Sequence, residues 1–271
     1  MIHVKSDREI ELMRASADLV GRTLGEVAKE IAPGVATSRL DAIAEEYIRD
    51  HGGTPAFKGY QVANLSPFPG TLCISVDDVV VHGIPGDYVL RDGDLVSVDC
   101  GVSLDGYFGD YAYTFGVGDI TAEKAELCRV TFTALQEGIR QAVAGNRVGD
   151  ISYAVQNHCE SRGYGVVRDL VGHGIGTRLH EDPQVPNVGR RGTGRKLKEG
   201  LTICIEPMIN AGSGDISVDS DGWTVRTSDG LPSAHYEHMI VVRGGQAELL
   251  STFDYIEQAA EAPYNMKVSN G

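Results

Sequence analysis

Five side chains constrain this chain more than anything else in it: Asp99, Asp110, His173, Glu206 and Glu237. Each is set in an apolar or glycine-rich stretch. The contexts are LVSVDCG, DGYFGDYAYTF, LVGHGIGTRLH, LTICIEPMI and AHYEHMIVV, which read as core strands or tight turns. Removing water from a lone carboxylate is prohibitive unless a cation or hydrogen-bond donors replace it. Four carboxylates brought together repel one another, and a pair of divalent ions is the simplest way to neutralise them. The chain is therefore expected to fold so that distant strands deliver these groups to one place.

Local pattern supports the convergence. Asp105-Gly106 reads as a two-residue hairpin turn between strands at 94–103 and 107–116. That register sets Asp99 opposite Ala112 and puts Asp110 on the same face, diagonal to Asp99. A slip of one residue would separate them. Gly172, Gly174 and Gly176 frame His173 and permit close backbone approach. Glu206 follows Ile203-Cys204-Ile205 and precedes Pro207, and Glu237 leads into Met239-Ile240-Val241-Val242. An oxygen-rich donor set with one imidazole suits Mn²⁺, Fe²⁺ or Co²⁺, with Zn²⁺ also compatible. Two such ions would activate a shared water and clamp tetrahedral charge. His82, in VVVHGIP, and His180 suit acid–base or oxyanion work, with ordinary backbone hydrogen bonding as the alternative for each.

Periodicity predicts helices near 7–31 and 38–51, then strands at 71–83, 94–103 and 107–116. The second half repeats the order: helices near 121–143 and 149–161, strands at 165–171, 201–210, 223–227 and 237–243. The halves look like copies at an offset of 111 positions (Leu40 on Ile151, Ala44 on Val155, Ile48 on Cys159). The expected organisation is one catalytic domain over 1–271, with halves of about 5–116 and 117–250 and a loosely docked tail at 256–271. A net charge of −14, from 24 basic and 38 acidic residues, disfavours nucleic-acid or anionic-membrane binding. The basic segment at 189–198 reads as a solvated loop. No apolar run reaches membrane-spanning length, and no signal core is visible. Five cysteines without a C-x-x-C pair fit a reducing, cytoplasmic setting.

With these motifs in place, the chain resembles the type I methionine aminopeptidases. The matching strings are VVHGIP (80–85), LVSVDCG (95–101), the GD of DGYFGD (105–110), GHGIGTRLHEDPQVPN (172–187), IEPM (205–208) and AHYEH (234–238), in order over about residues 5 to 250. The resemblance implies an α+β, pita-bread (creatinase/aminopeptidase) fold. In it, two pseudo-symmetric helix-helix-strand halves surround a curved, mainly antiparallel sheet. It implies removal of the initiator methionine from nascent chains by dimetal-activated water, with a small second residue preferred. Asp99 would chelate one ion, His173 and Glu206 the other, and Asp110 and Glu237 would bridge both. Glu206 would also shuttle a proton, His180 would stabilise the carbonyl oxygen, and His82 would contact the next amide nitrogen. The methionine pocket would be walled by Phe57, Tyr60, Phe68, Cys73, Leu179 and Trp223. A cytoplasmic monomer is implied, and a transient ribosome contact is left open.

Departures from the family pattern are the longer linker QVANLSP at 61–67, Asp77 where Asn is typical, and Tyr111 where a small hydroxyl residue is common. Phe57 and Leu179 also differ from frequent choices. The Asp77 change puts an accessory monovalent-cation site in question, and the others bear on the size of the pocket. The alternatives are a prolidase or aminopeptidase P on the same fold, and a non-catalytic peptide-binding protein. The first ligand appears at residue 99, which leaves no room for the extra N-terminal domain of the former. All five ligands are present, unlike in the latter.

Overall fold

The structure is a computed structural model that describes residues 3–62, 65–260 and 267–268. Helix α1 (Asp7–Glu30) begins at Ser6, whose hydroxyl caps Glu9 N while the Glu9 carboxylate accepts from Ser6 N at 2.8 Å. Helix α2 is Thr37–Asp50. The second half opens in the same way: Thr121 caps helix α3 (Ala122–Gln141), and α4 (Val148–Glu160) packs against it. Leu40, Ala44 and Ile48 on α2 and their counterparts Ile151, Val155 and Cys159 on α4 are all buried. Both helix pairs thus feed one continuous core that runs from Ile10 to Ile256.

The strands that matter for the site are β1 (Leu72–Val76), β2 (Val79–Val81), β3 (Leu95–Leu104) and β4 (Tyr107–Gly116) in the first half. In the second they are β5 (Val171–Gly174), β6 (Glu181–Pro186), β7 (Thr202–Ile205), β8 (Met208–Asn210), β9 (Val225–Thr227), β10 (Ser233–His235) and β11 (His238–Val241). β3 pairs with both β1 and β4, setting Asp99 beside Cys73 and Ala112. β7 pairs with β5 and β11, β8 with β10, and β9 with β2, every one antiparallel. The turn is Asp105-Gly106, with φ of 50° and 81°. Two left-handed residues match the twist of a two-residue hairpin and fix its register.

Several elements differ from the sequence expectation: the strand expected at 165–171 is only Gly165–Val166, with β5 opening at Val171, and β6 has no counterpart among the expected strands. The strand expected at 71–83 is broken into β1 and β2 because Asp77 adopts φ 49° and its carboxylate accepts from Leu95 N at 3.0 Å. The strand expected at 201–210 is interrupted at Glu206-Pro207, since proline has no N–H for the ladder. The expected loose tail begins instead as helix α5 (Asp254–Ala259), with Ile256 buried and Tyr255 against Gly21 and Gly25 of α1. Residues 261–266 and 269–271 of that tail lie outside the described residues. No described helix is long and apolar enough to cross a membrane.

Candidate metal centre

The register that the hairpin turn imposes aims Asp99 and Asp110 into the same space from adjacent strands. The second half meets them from the other side. Glu237 N donates to Ala112 O at 3.0 Å, which pins the link between β10 and β11 onto β4. Thr114 strengthens that junction. Its hydroxyl donates to His235 O at 2.7 Å and accepts from His235 N at 3.0 Å, and the Tyr236 hydroxyl donates to Thr114 O. Glu206 emerges where proline ends β7, and its carbonyl accepts from Asn187 Nδ2 at 3.0 Å. His173 enters from β5, where the adjacent glycines leave no side chain in the way.

A cavity of about 320 Å³ opens at this meeting point. All thirteen site residues singled out in the sequence line it. They are the five candidate ligands, His82 and His180, and the wall of Phe57, Tyr60, Phe68, Cys73, Leu179 and Trp223. The wall packs as its own apolar cluster, apart from the main core. Trp223 is held by its indole N–H to Ser66 O at 2.8 Å, so the long 61–67 linker forms part of the cavity's support, with Val62 on its lining. Residues 63 and 64 of that linker lie outside the described residues. Tyr111 turns to the opposite face of β4 from Asp110 and donates to Thr252 O at 3.0 Å, so it does not touch the pocket.

The acidic cluster cannot rest as four bare anions. Oδ1 of Asp99, Oδ1 of Asp110 and Oε1 of Glu237 are buried with no hydrogen-bond partner. Burial first, then repulsion from neighbouring carboxylates, pushes Asp110, Glu206 and Glu237 well above the usual carboxylate range. Asp99 is raised to about 7, also by burial, with an opposing hydrogen bond from Asp110. His173 Nε2 lies 3.7 Å from both Asp110 Oδ2 and Glu206 Oε1. These are not ion pairs, because burial lowers His173 to about 3 and keeps it neutral. Its Nδ1 faces Gly174 O at 2.9 Å, which places the proton there and leaves the Nε2 lone pair for a cation.

Ligand atoms of Asp110, His173, Cys204 and Glu237 lie within 4.8 Å of one another, as do those of Glu206, His235 and Glu237. Partnerless buried oxygens, a neutral imidazole with its lone pair turned inward and a carboxylate-rich donor set all fit divalent cations. Cys204 is the poor member. Burial holds its thiol well above the ordinary range, and it donates to Asp110 O at 3.7 Å. His235 and Cys204 were not singled out in the sequence. The second residue of AHYEH and the second residue of ICIEP are visible there, but only the fold turns them inward.

His180 and His82 are also neutral, lowered by burial, His82 to about 4. His180 Nδ1 is 2.7 Å from the Tyr60 hydroxyl, which leaves Nε2 for the cavity. His82 adopts φ 57° at the end of β2 and has Trp223 edge-on to its ring. Asp77 sits beside a cation from within the chain: Lys124 Nζ donates to Asp77 Oδ1 at 2.5 Å and to Gly93 O at 2.7 Å.

The model of metallopeptidase family M24 matches residues 11–244. The chain belongs to metallopeptidase family M24, among its methionine aminopeptidases. It is 49% identical to the methionine aminopeptidase of Clostridium perfringens over 251 residues, covering 93% of this chain and 99% of that one. The crystal structure of methionine aminopeptidase from Rickettsia prowazekii matches with a TM-score of 0.90 at 40% identity, covering 93% of this chain and all of that one. A prolidase from Pyrococcus horikoshii matches with a TM-score of 0.75 at 21% identity, covering 93% of this chain and 64% of that one. That likeness establishes the pita-bread fold alone. Divalent-metal binding follows from the family and from the buried donor cluster.

Proposed function

We propose that this chain hydrolyses the first peptide bond of nascent polypeptides and releases the initiator methionine. The observation that carries the reading is the union, in one cavity, of the carboxylate cluster with an apolar, sulfur-bearing wall. Asp99 would hold one divalent ion, His173 and Glu206 the other, and Asp110 and Glu237 would be shared. Ions bound there supply a water nucleophile at neutral pH and offset developing negative charge. Mn²⁺, Fe²⁺ and Co²⁺ suit the donors best, and Zn²⁺ fits as well.

The remaining work falls to the protein. Phe57, Tyr60, Phe68, Cys73, Leu179 and Trp223 enclose an unbranched thioether side chain and exclude water from it. Neutral His180 donates its Nε2–H to the scissile carbonyl oxygen, with the Tyr60 hydroxyl fixing its ring. Neutral His82 contacts the amide nitrogen of the second residue. Glu206 carries a proton to the leaving amine nitrogen. A small second residue (Gly, Ala, Ser, Thr, Cys, Pro or Val) is preferred. The working unit is a cytoplasmic monomer and one catalytic domain over 1–271, meeting Met-initiated N-termini with at most a transient ribosome contact.

The test compares Met-Ala-Ser with Ala-Pro-Ala under Mn²⁺, Co²⁺ and Fe²⁺, with a chelator control. Metal-dependent release of methionine from the first peptide alone is expected. Release of the first residue only from the proline peptide would replace this reading with an aminopeptidase P.

A further inference from the structure

The Glu206 carboxylate lies between two imidazoles. Oε1 is 3.7 Å from His173 Nε2, and Oε2 is 3.7 Å from His235 Nε2. The two rings are not equivalent. His173 keeps its proton on Nδ1, against Gly174 O, so the nitrogen that it turns to Glu206 is a lone pair. His235 Nε2 is buried and has no hydrogen-bond partner, an arrangement rarely left standing in a folded protein. The backbone of His235 is clamped at both N and O by the Thr114 hydroxyl, and Thr114 is itself 2.8 Å from the Ser97 hydroxyl. Its ring is therefore held at a fixed height against the outer oxygen of Glu206. A movement of about 0.7 Å by either side chain converts the contact into a normal hydrogen bond.

We propose that His235 is a positioning residue: its Nε2–H donates to Glu206 Oε2, orienting the carboxylate so that Oε1 stays turned toward His173 and the metal site. The inference rests on the reading of Glu206 as metal ligand and proton carrier. Without that donor the carboxylate is free to rotate, and both the ion it holds and the proton it carries lose their fixed geometry. Partners of this kind, which orient a ligand without touching the metal, commonly change affinity or activity by one to two orders of magnitude.

Two variants and three readouts test it. His235→Gln keeps an N–H donor at a similar reach, whereas His235→Leu keeps bulk without a donor. Turnover of Met-Ala-Ser is measured with Mn²⁺, Mn²⁺ dissociation constants by chelator competition, and folding by the thermal midpoint of the metal-free proteins. His235→Leu should lose kcat by roughly 10–100-fold, leave KM within about twofold, and weaken binding of one of the two ions by roughly 10–100-fold. His235→Gln should stay within about threefold of the unaltered protein in both, and the metal-free midpoints should agree. Wild-type behaviour in His235→Leu, or equal damage in both variants, would overturn the proposal.

A Co²⁺-loaded sample separates positioning from ligation by NMR. One imidazole N–H with the large contact shift of a directly coordinated ring, that of His173, is expected, and a second, from His235, would make it a ligand and end the proposal. Failure of the unaltered protein to cleave Met-Ala-Ser would instead overturn the functional reading. The metal affinities of the variants would still report on His235.

Discussion

Asp99 and Asp110 face one space from neighbouring strands; burial raises both, and without a cation Asp99 further hinders ionisation of Asp110. Asp99 in the folded, metal-free protein titrates at about 7, against an ordinary 3.8. The folded chain then keeps a proton that the unfolded chain has released, so this contribution is complete below about pH 3.8 and is lost as pH rises through 7. Buried His173 and His235 act in the opposite sense. Lowered to about 3, they withdraw stability as pH falls from 6.5. Asp99→Asn isolates the first effect. The metal-free variant should be more stable than its parent at pH 8, by on the order of 1–3 kcal/mol, and the gap should close toward pH 4. Urea unfolding at the two pH values checks it, and a constant gap would contradict it. His173→Ala or Asp110→Ala should abolish turnover. His82→Ala should slow it by roughly 10²–10⁴-fold while the metal content, read by elemental analysis, stays unchanged. The diagonal pairing of Asp99 with Asp110 was legible in the sequence because one tight turn, Asp105-Gly106, sets it locally. His235 was not, because its meaning depends on Thr114, 121 positions away. The bond from Lys124 to Asp77, across 47 positions, was hidden for the same reason.

At the scale of elements, the hairpin β3–β4 carries two candidate ligands and must lie flat against α1. Gly109 makes that possible, since a Cβ there would sit 2.5 Å from Ala17 N and 2.6 Å from Ser16 C. Both atoms are helix backbone, so no side-chain rotation can relieve the clash. Gly109→Ala should cost about 1–3 kcal/mol by urea unfolding and should reduce metal affinity, because Asp110 moves with its strand. Undiminished stability would show that α1 and β4 are less tightly coupled than their contact implies. Element type was readable along most of the chain, where 3.6-residue and alternating patterns are long. It failed where an element ends for a non-local or polar reason. Asp77 turns the chain between β1 and β2 through a side-chain bond to Leu95, and Pro207 closes β7 just where Glu206 is needed. The docking of α5 was also unreadable, because six residues have no period long enough to announce a buried face.

On the scale of the whole molecule, the two helix pairs and their strands bury one core and bring Asp99, Asp110, Glu206 and Glu237 together at one cluster. That cluster opposes folding until cations arrive, so metal binding and stability should be strongly linked. A metal-free sample should show a lower thermal midpoint at pH 8. At a hundredfold excess of Mn²⁺ over its dissociation constant, each site should restore about 2.7 kcal/mol. The effect should shrink toward acid pH, where protons compete for the same oxygens. The most direct measurement is anomalous diffraction from crystals grown with Mn²⁺. Two peaks are expected among Asp99, Asp110, His173, Glu206 and Glu237, with Asp110 and Glu237 reaching both. An empty cluster in a protein that still releases methionine from Met-Ala-Ser would contradict the account.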